Sequence, residues 1–123
     1  MERITIGVLE ARFADLIWER EPVSTKELVK LGEKELNWKR TTTYTVLKRL
    51  CDRGLFVMQD SIVTAQLSRE EFYAIQSEQF VEEAFKGSLP DFLAAFSSRK
   101  KPTVEEVEAL RHMIDLWGGA QDD

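Results

Sequence analysis

Trp38-Lys39-Arg40-Thr41-Thr42-Thr43-Tyr44-Thr45-Val46-Leu47-Lys48-Arg49-Leu50-Cys51-Asp52-Arg53-Gly54 is the stretch on which the fold turns. Thr43, Val46, Leu47 and Leu50 recur at the spacing of one helix face, which predicts a helix over 39–53. Gly54 suits the left-handed conformation that closes helices. With that face turned inward, Arg40, Thr41, Thr42, Thr45, Lys48 and Arg49 point largely outward. The Thr43 hydroxyl, buried, is expected to bond to the preceding turn. Trp38 reads as a core anchor. Tyr44 either meets a ligand or packs its ring on the segment that follows. Cys51 reads as a small buried residue, although Lys48 and Arg49 nearby would lower its pKa.

Downstream, Leu55–Met58 and Ile62–Leu67 are strand-like and joined through Gln59-Asp60-Ser61, which predicts a short β-hairpin. Upstream, Ile6, Leu9, Phe13, Leu16 and Ile17 form an amphipathic stripe. It predicts a first helix capped by Thr5 and ending near Arg20, before the Glu21-Pro22 break. Ser24 with Glu27 three residues on is a capping-box pattern for a second helix carrying Leu28, Val29, Leu31 and Leu36. Gly32 weakens its last turn, and Asn37-Trp38 connects it to the third helix. Helices followed by a hairpin is the order of a winged helix-turn-helix.

The remainder returns to helical periods. Ser68-Arg69-Glu70-Glu71 opens a helix with Phe72, Ile75, Phe80, Val81 and Phe85, lasting to about Lys86. Gly87-Ser88-Leu89-Pro90 interrupts, and a brief helix runs from Asp91 to Ser98. Arg99-Lys100-Lys101-Pro102 forms a turn, and Thr103 caps a last helix using Val104, Val107, Leu110, Ile114 and Trp117. Gly118-Gly119 is expected to end it, leaving Ala120 to Asp123 as a frayed tail. The fold class is mainly α with a small β-hairpin: a winged-helix head over 1–67 and a helical arm over 68–123.

The 123 residues, 43% hydrophobic and 32% charged, build a core but leave each half thin, so a partner surface is expected. Neither Phe92–Phe96 nor Ile4–Leu9 is long enough to span a bilayer, and no signal peptide is visible, so a cytoplasmic location is expected. One cysteine and one histidine, His112, are a poor catalytic inventory. No enzyme activity, metal or cofactor is expected. Net charge is −5, yet residues 1–67 hold 11 basic against 10 acidic residues and residues 68–123 hold 6 against 12. Within the first part, Lys39, Arg40, Lys48, Arg49 and Arg53 face only Asp52, a local excess of four positive charges.

Cations beside threonines on an exposed helix face suit DNA: the cations neutralise phosphates, and hydroxyls bond backbone oxygens or base edges. The candidate DNA-binding residues are Lys39, Arg40, Thr41, Thr42, Tyr44, Thr45, Lys48 and Arg49. The alternative reading is a winged-helix protein-interaction module that binds no DNA, favoured by the acidic total and a wing without basic residues. The arm's aromatics would make a large exposed apolar patch on a single chain, so a homodimer is expected to bury them. Its candidate interface is Phe72, Phe80, Phe85, Leu89, Phe92, Phe96, Leu110, Ile114 and Trp117.

Trp38 to Leu50, followed by Arg53-Gly54-Leu55, resembles the recognition-helix signature of the penicillinase-repressor family, the BlaI/MecI/CopY-like regulators. Leu9-Glu10-Ala11 and Leu16-Ile17-Trp18 resemble its first helix. Ser68 to Phe72, Gly87-Ser88-Leu89 and Glu105 to Ile114 resemble its dimerisation arm. The resemblance implies a homodimeric repressor that occludes a promoter by holding a palindromic operator in double-stranded DNA. Half-sites would lie about 34–36 Å apart. It places Thr42, Thr45 and Arg49 at groove-facing positions, Thr41 at a position often polar or basic, and Lys39 and Arg40 near the phosphates. Three departures stand out. The Gln59-Asp60-Ser61 tip lacks the family's basic, glycine-containing wing. Ala95-Phe96 replaces the Asn-Phe bond cut in β-lactam-responsive members. No cysteine follows Cys51, so the thiolates of copper-responsive members are missing. Release by a sensor protease, by a small-molecule effector or by a change in dimer strength therefore stays open.

Overall fold

The computed structural model describes residues 6–121. Among them lie α1 (Val8–Arg20), β1 (Val23–Ser24), α2 (Thr25–Leu36), α3 (Arg40–Asp52), β2 (Phe56–Gln59), β3 (Ile62–Ala65), α4 (Arg69–Phe85), α5 (Leu89–Arg99) and α6 (Val104–Gln121). This is the mainly helical winged-helix class expected from the sequence. The chain forms two compact units, residues 1–80 and 81–123.

In the first unit α1, α2 and α3 enclose a core of Phe13, Ile17, Leu28, Leu47 and Leu50, closed by Leu55, Phe56 and Val63 from the hairpin. The inward face of α1 is Phe13, Ala14 and Ile17, whereas Leu9 stays 52% exposed. The stripe is therefore rotated from the one the larger residues marked, because the small Ala14 lets α1 approach its neighbours closely. The Thr5 cap lies outside the described residues. The helix is instead capped at Gly7, whose N–H donates to Glu10 Oε1 at 2.8 Å. Phe72 and Tyr73, at the start of α4, pack with Trp18, whose indole N–H donates to the Leu67 carbonyl at 2.9 Å.

The sheet has a third strand that hydrophobic pattern alone did not mark. Val23 and Ser24 pair antiparallel with Val63 and Ile62, giving the order β1-β3-β2. Two residues are too few to carry an alternation. The hairpin turn is Asp60-Ser61, both at positive φ, so Gln59 lies in β2 paired with Ile62.

Gly32 does not loosen α2. It is buried where α2 crosses α3, and a Cβ there would stand 2.4 Å from Thr43 Oγ1. The Thr43 side chain, 1% exposed, thus abuts a glycine, and its hydroxyl has no hydrogen-bond partner, contrary to the expected bond to the preceding turn. The packing at this crossing fixes the side chain's direction. Gly32→Ala is expected to destabilise the head by about 1–3 kcal/mol in urea unfolding, because overpacking outweighs the helix-propensity gain of about 1 kcal/mol.

In the second unit Ser88 Oγ accepts the Asp91 N–H at 3.1 Å, so α5 begins at Leu89, two residues before the sequence reading placed it. Pro90 is tolerated because first-turn N–H groups have no partner within the helix. Thr103 and Glu106 form a reciprocal capping box for α6. That helix continues through Gly118-Gly119 to Gln121, so the glycine pair does not end it. Asp122 and Asp123 lie outside the described residues. Phe85 meets Phe92 edge-on at 5.7 Å and Phe92 meets Phe96 at 6.3 Å. No residue from Tyr73 to Gly118 is buried.

Candidate nucleic-acid interface

Helix α3 starts after Lys39, which stands at the N-cap in an extended conformation, and ends at Arg53 before Gly54 at φ +88°. Thr43, Val46, Leu47 and Leu50 are buried. Lys39, Arg40, Thr41, Thr42, Thr45, Lys48 and Arg49 are exposed and Tyr44 is half-buried. Helical periodicity puts Thr41, Thr45 and Lys48 on the outermost line, Arg40 and Tyr44 on one flank, and Thr42 and Arg49 on the other. Seven of the eight candidate residues therefore lie on or beside one face, and Lys39 stands at its N-cap.

Their partners divide them. Thr45 Oγ1 donates to the Thr41 carbonyl at 2.9 Å, so its proton is used within the helix. What remains outward is an acceptor and a methyl group. Lys48 pairs with Asp52 at 2.9 Å, an interaction that raises the lysine pKa. Arg49 Nη1 donates to Glu10 Oε2 of α1, and Arg53 approaches the other carboxylate oxygen at 3.8 Å. Arg40 lies over the Tyr44 ring at 5.5 Å, beside a cleft shared with α2. Trp38 is the expected anchor, its ring 5.2 Å from that of Phe13. The Cys51 thiol is half-buried, and burial together with the Asp52 charge raises its pKa, the reverse of the lowering expected from Lys48 and Arg49. The ammonium of Lys48 is turned to Asp52 and the Arg49 guanidinium to Glu10.

Glu10 is the residue that sequence reasoning missed at this face. It lies 39 positions from Arg49, and no local pattern links them. Its side chain is 15% exposed. Burial opposes its ionisation, but the Gly7 N–H bond and the Arg49 and Arg53 charges outweigh that and lower its pKa from 4.5. A carboxylate with a depressed folded pKa adds stability above its unfolded pKa and loses it as pH falls through the folded value. Urea unfolding of the protein and of Glu10→Gln should differ by about 1 kcal/mol at neutral pH, the pair being screened at the half-exposed Arg49. The difference should close well below pH 4.5.

The model of the family described as penicillinase repressor matches residues 6–116, nearly the whole described chain. The chain belongs to the penicillinase repressor family. It is 21% identical over 114 residues to the penicillinase repressor of Bacillus licheniformis, covering 89% of each chain. It is 22% identical over 114 residues to the methicillin resistance regulatory protein MecI of Staphylococcus aureus, covering 89% of this chain and 93% of that one. A member of the penicillinase repressor family is a DNA-binding regulator of transcription, and the winged-helix fold is consistent with that.

The residues expected at a dimer interface lie on α4, α5 and α6. Phe80, Leu89, Phe96, Ile114 and Trp117 are exposed by 43–55%, and Phe85, Phe92 and Leu110 are half-buried. Phe72 is different: at 1% exposure it is enclosed in the head core, with no surface left for a partner. Leu93, Met113 and Leu116 are exposed beside these positions, and the signal was the helical spacing of Met113 from Leu110 and Trp117, with Leu116 three residues on from Met113. Among the described residues no helix is long and apolar enough to cross a membrane.

Proposed function

We propose that the protein is a cytoplasmic, homodimeric repressor that occludes a promoter by seating α3 of each head in the major groove of a dyad-symmetric operator. The observation that carries the α3 assignment is the division of that helix. Its apolar positions are buried, while seven of its candidate contact residues stand exposed as hydroxyls and cations. Thr42, Thr45 and Arg49 are assigned to the groove, and Lys39 and Arg40 to phosphates at its edge. The hairpin contributes little, since no basic residue lies between Arg53 and Arg69 and Asp60 sits in its turn. The arm, which parts from the head within α4, couples two heads through Phe80, Phe85, Leu89, Phe92, Phe96, Leu110, Ile114 and Trp117. Support for that pairing is the absence of any buried residue from Tyr73 to Gly118. Helices with thin packing of their own gain their stability from a second copy.

Binding to a labelled duplex across a salt series tests this reading, with sedimentation run alongside. A dimer whose affinity falls about 10³-fold or more between 50 and 200 mM salt is expected, as for six or more phosphate contacts. A monomer that leaves duplex DNA unbound at the lowest salt favours the protein-interaction module instead.

A further inference from the structure

The charge on α3 is less available than its sequence indicates. Lys48 is paired with Asp52, and Arg49 and Arg53 are gathered on Glu10. The cations with no ion-pair partner among the described residues of this region include Lys26, Lys30, Lys39 and Arg40. Three of these converge. Lys26 and Lys30, one turn apart on α2, line a cleft of about 330 Å³ with Val29, Arg40 and Tyr44. No carboxylate lines it. Val29 supplies an apolar wall, and Arg40 is steadied over the Tyr44 ring.

The placement works against local stability. Lys26 stands in the first turn of α2, and Lys39 and Arg40 open α3, whose first turn has no acidic residue. Cations at the positive end of a helix dipole are unfavourable unless an anion meets them. Conflicts between local preference and position concentrate at functional sites.

We infer that Lys26, Lys30, Arg40 and Tyr44 form a seat for a phosphodiester of the duplex backbone, gripped from α2 beside the groove that α3 enters. The inference rests on the DNA-binding reading above and moves the main electrostatic grip from the end of α3 to the cleft between α2 and α3. A diester oxygen takes the lysine ammoniums and the Arg40 guanidinium, while the Tyr44 hydroxyl donates a further bond. Such contacts position the head and carry no base information.

The test compares the protein with Lys26→Ala/Lys30→Ala on a duplex enriched from a random pool and on a scrambled duplex, across a salt series. Both lysines are exposed, so the unfolding midpoint should hold. The slope of log K against log salt should become shallower by about 0.9 for each head engaged, one phosphate being lost, with affinity near 0.1 M salt about tenfold weaker per head on both duplexes. Lys26→Arg/Lys30→Arg should retain binding, and the enriched consensus should be the same for all three proteins. An unchanged slope overturns the inference, as does a changed consensus, which would mean base contact. Titration of inorganic phosphate separates the remaining source: saturable binding lost in the alanine variant, with the DNA slope intact, would assign the seat to a free phosphate compound and overturn the duplex assignment. If the unaltered protein binds no duplex, the DNA-binding reading itself fails. If it binds and only the lysine variant behaves normally, the seat alone fails.

Discussion

Ile114→Glu/Trp117→Glu is expected to leave the heads folded, convert the dimer to single chains and lower operator affinity by at least about 100-fold. Both side chains are about half exposed on the single chain, so a carboxylate there meets water before assembly and costs the lone subunit little. In a dimer each glutamate would enter an apolar interface without a partner, which costs several kcal/mol unless the group is protonated. The arm already carries twice as many acidic as basic residues, so four added carboxylates also repel. Losing the dimer matters because the second head binds at an effective concentration set by the first, worth about 10²–10⁴ in affinity. Sedimentation and duplex titration on the same sample read both effects. A variant that stays dimeric places the interface elsewhere on the arm; a monomer with full operator affinity removes the need for pairing.

Thr45→Ala/Arg49→Ala is expected to reduce binding to the preferred duplex by at least about 30-fold while changing binding to scrambled DNA much less. One good base contact is worth about 1–3 kcal/mol of discrimination, and two residues are removed. Thr45 donates its proton to Thr41, so its outward offer is an acceptor for an adenine or cytosine amino group and a methyl for thymine. Arg49 uses Nη1 on Glu10 but is 47% exposed, which leaves other guanidinium N–H groups for a guanine edge. Removing Arg49 also takes a counter-charge from Glu10, although Arg53 remains within 3.8 Å, so the unfolding midpoint must be measured with the affinity. Equal losses on both duplexes would assign the pair to the backbone, and no loss would take α3 out of the groove.

What was legible in the sequence was local. The Ser68–Glu71 and Thr103–Glu106 capping boxes, the Gly54 stop and the buried face of α3 each depend on residues within four positions of one another, and each is present. What escaped depends on distance along the chain. β1 exists because Val23 and Ser24 meet β3 almost forty residues later. Gly32 looked like a weak point until α3 was set against it, with Thr43 over its Cα. Glycines as such misled at Gly118-Gly119, where α6 continues because propensity is a small term against the helix already running from Val104 to Trp117. At the candidate site the identities of the exposed residues were readable, but their commitments were not. That Arg49 is held by α1, and that the unpaired cations gather toward α2, follows only from three helices meeting.

The central claim is that two copies of α3 read the two halves of a symmetric duplex, and selection of bound sequences from a random pool tests it most directly. The account predicts an enriched palindrome with half-site centres about 10 base pairs apart or a multiple of that spacing. Enrichment of a single unpaired half-site, or of no sequence at all from a pool the protein was free to bind, would contradict it.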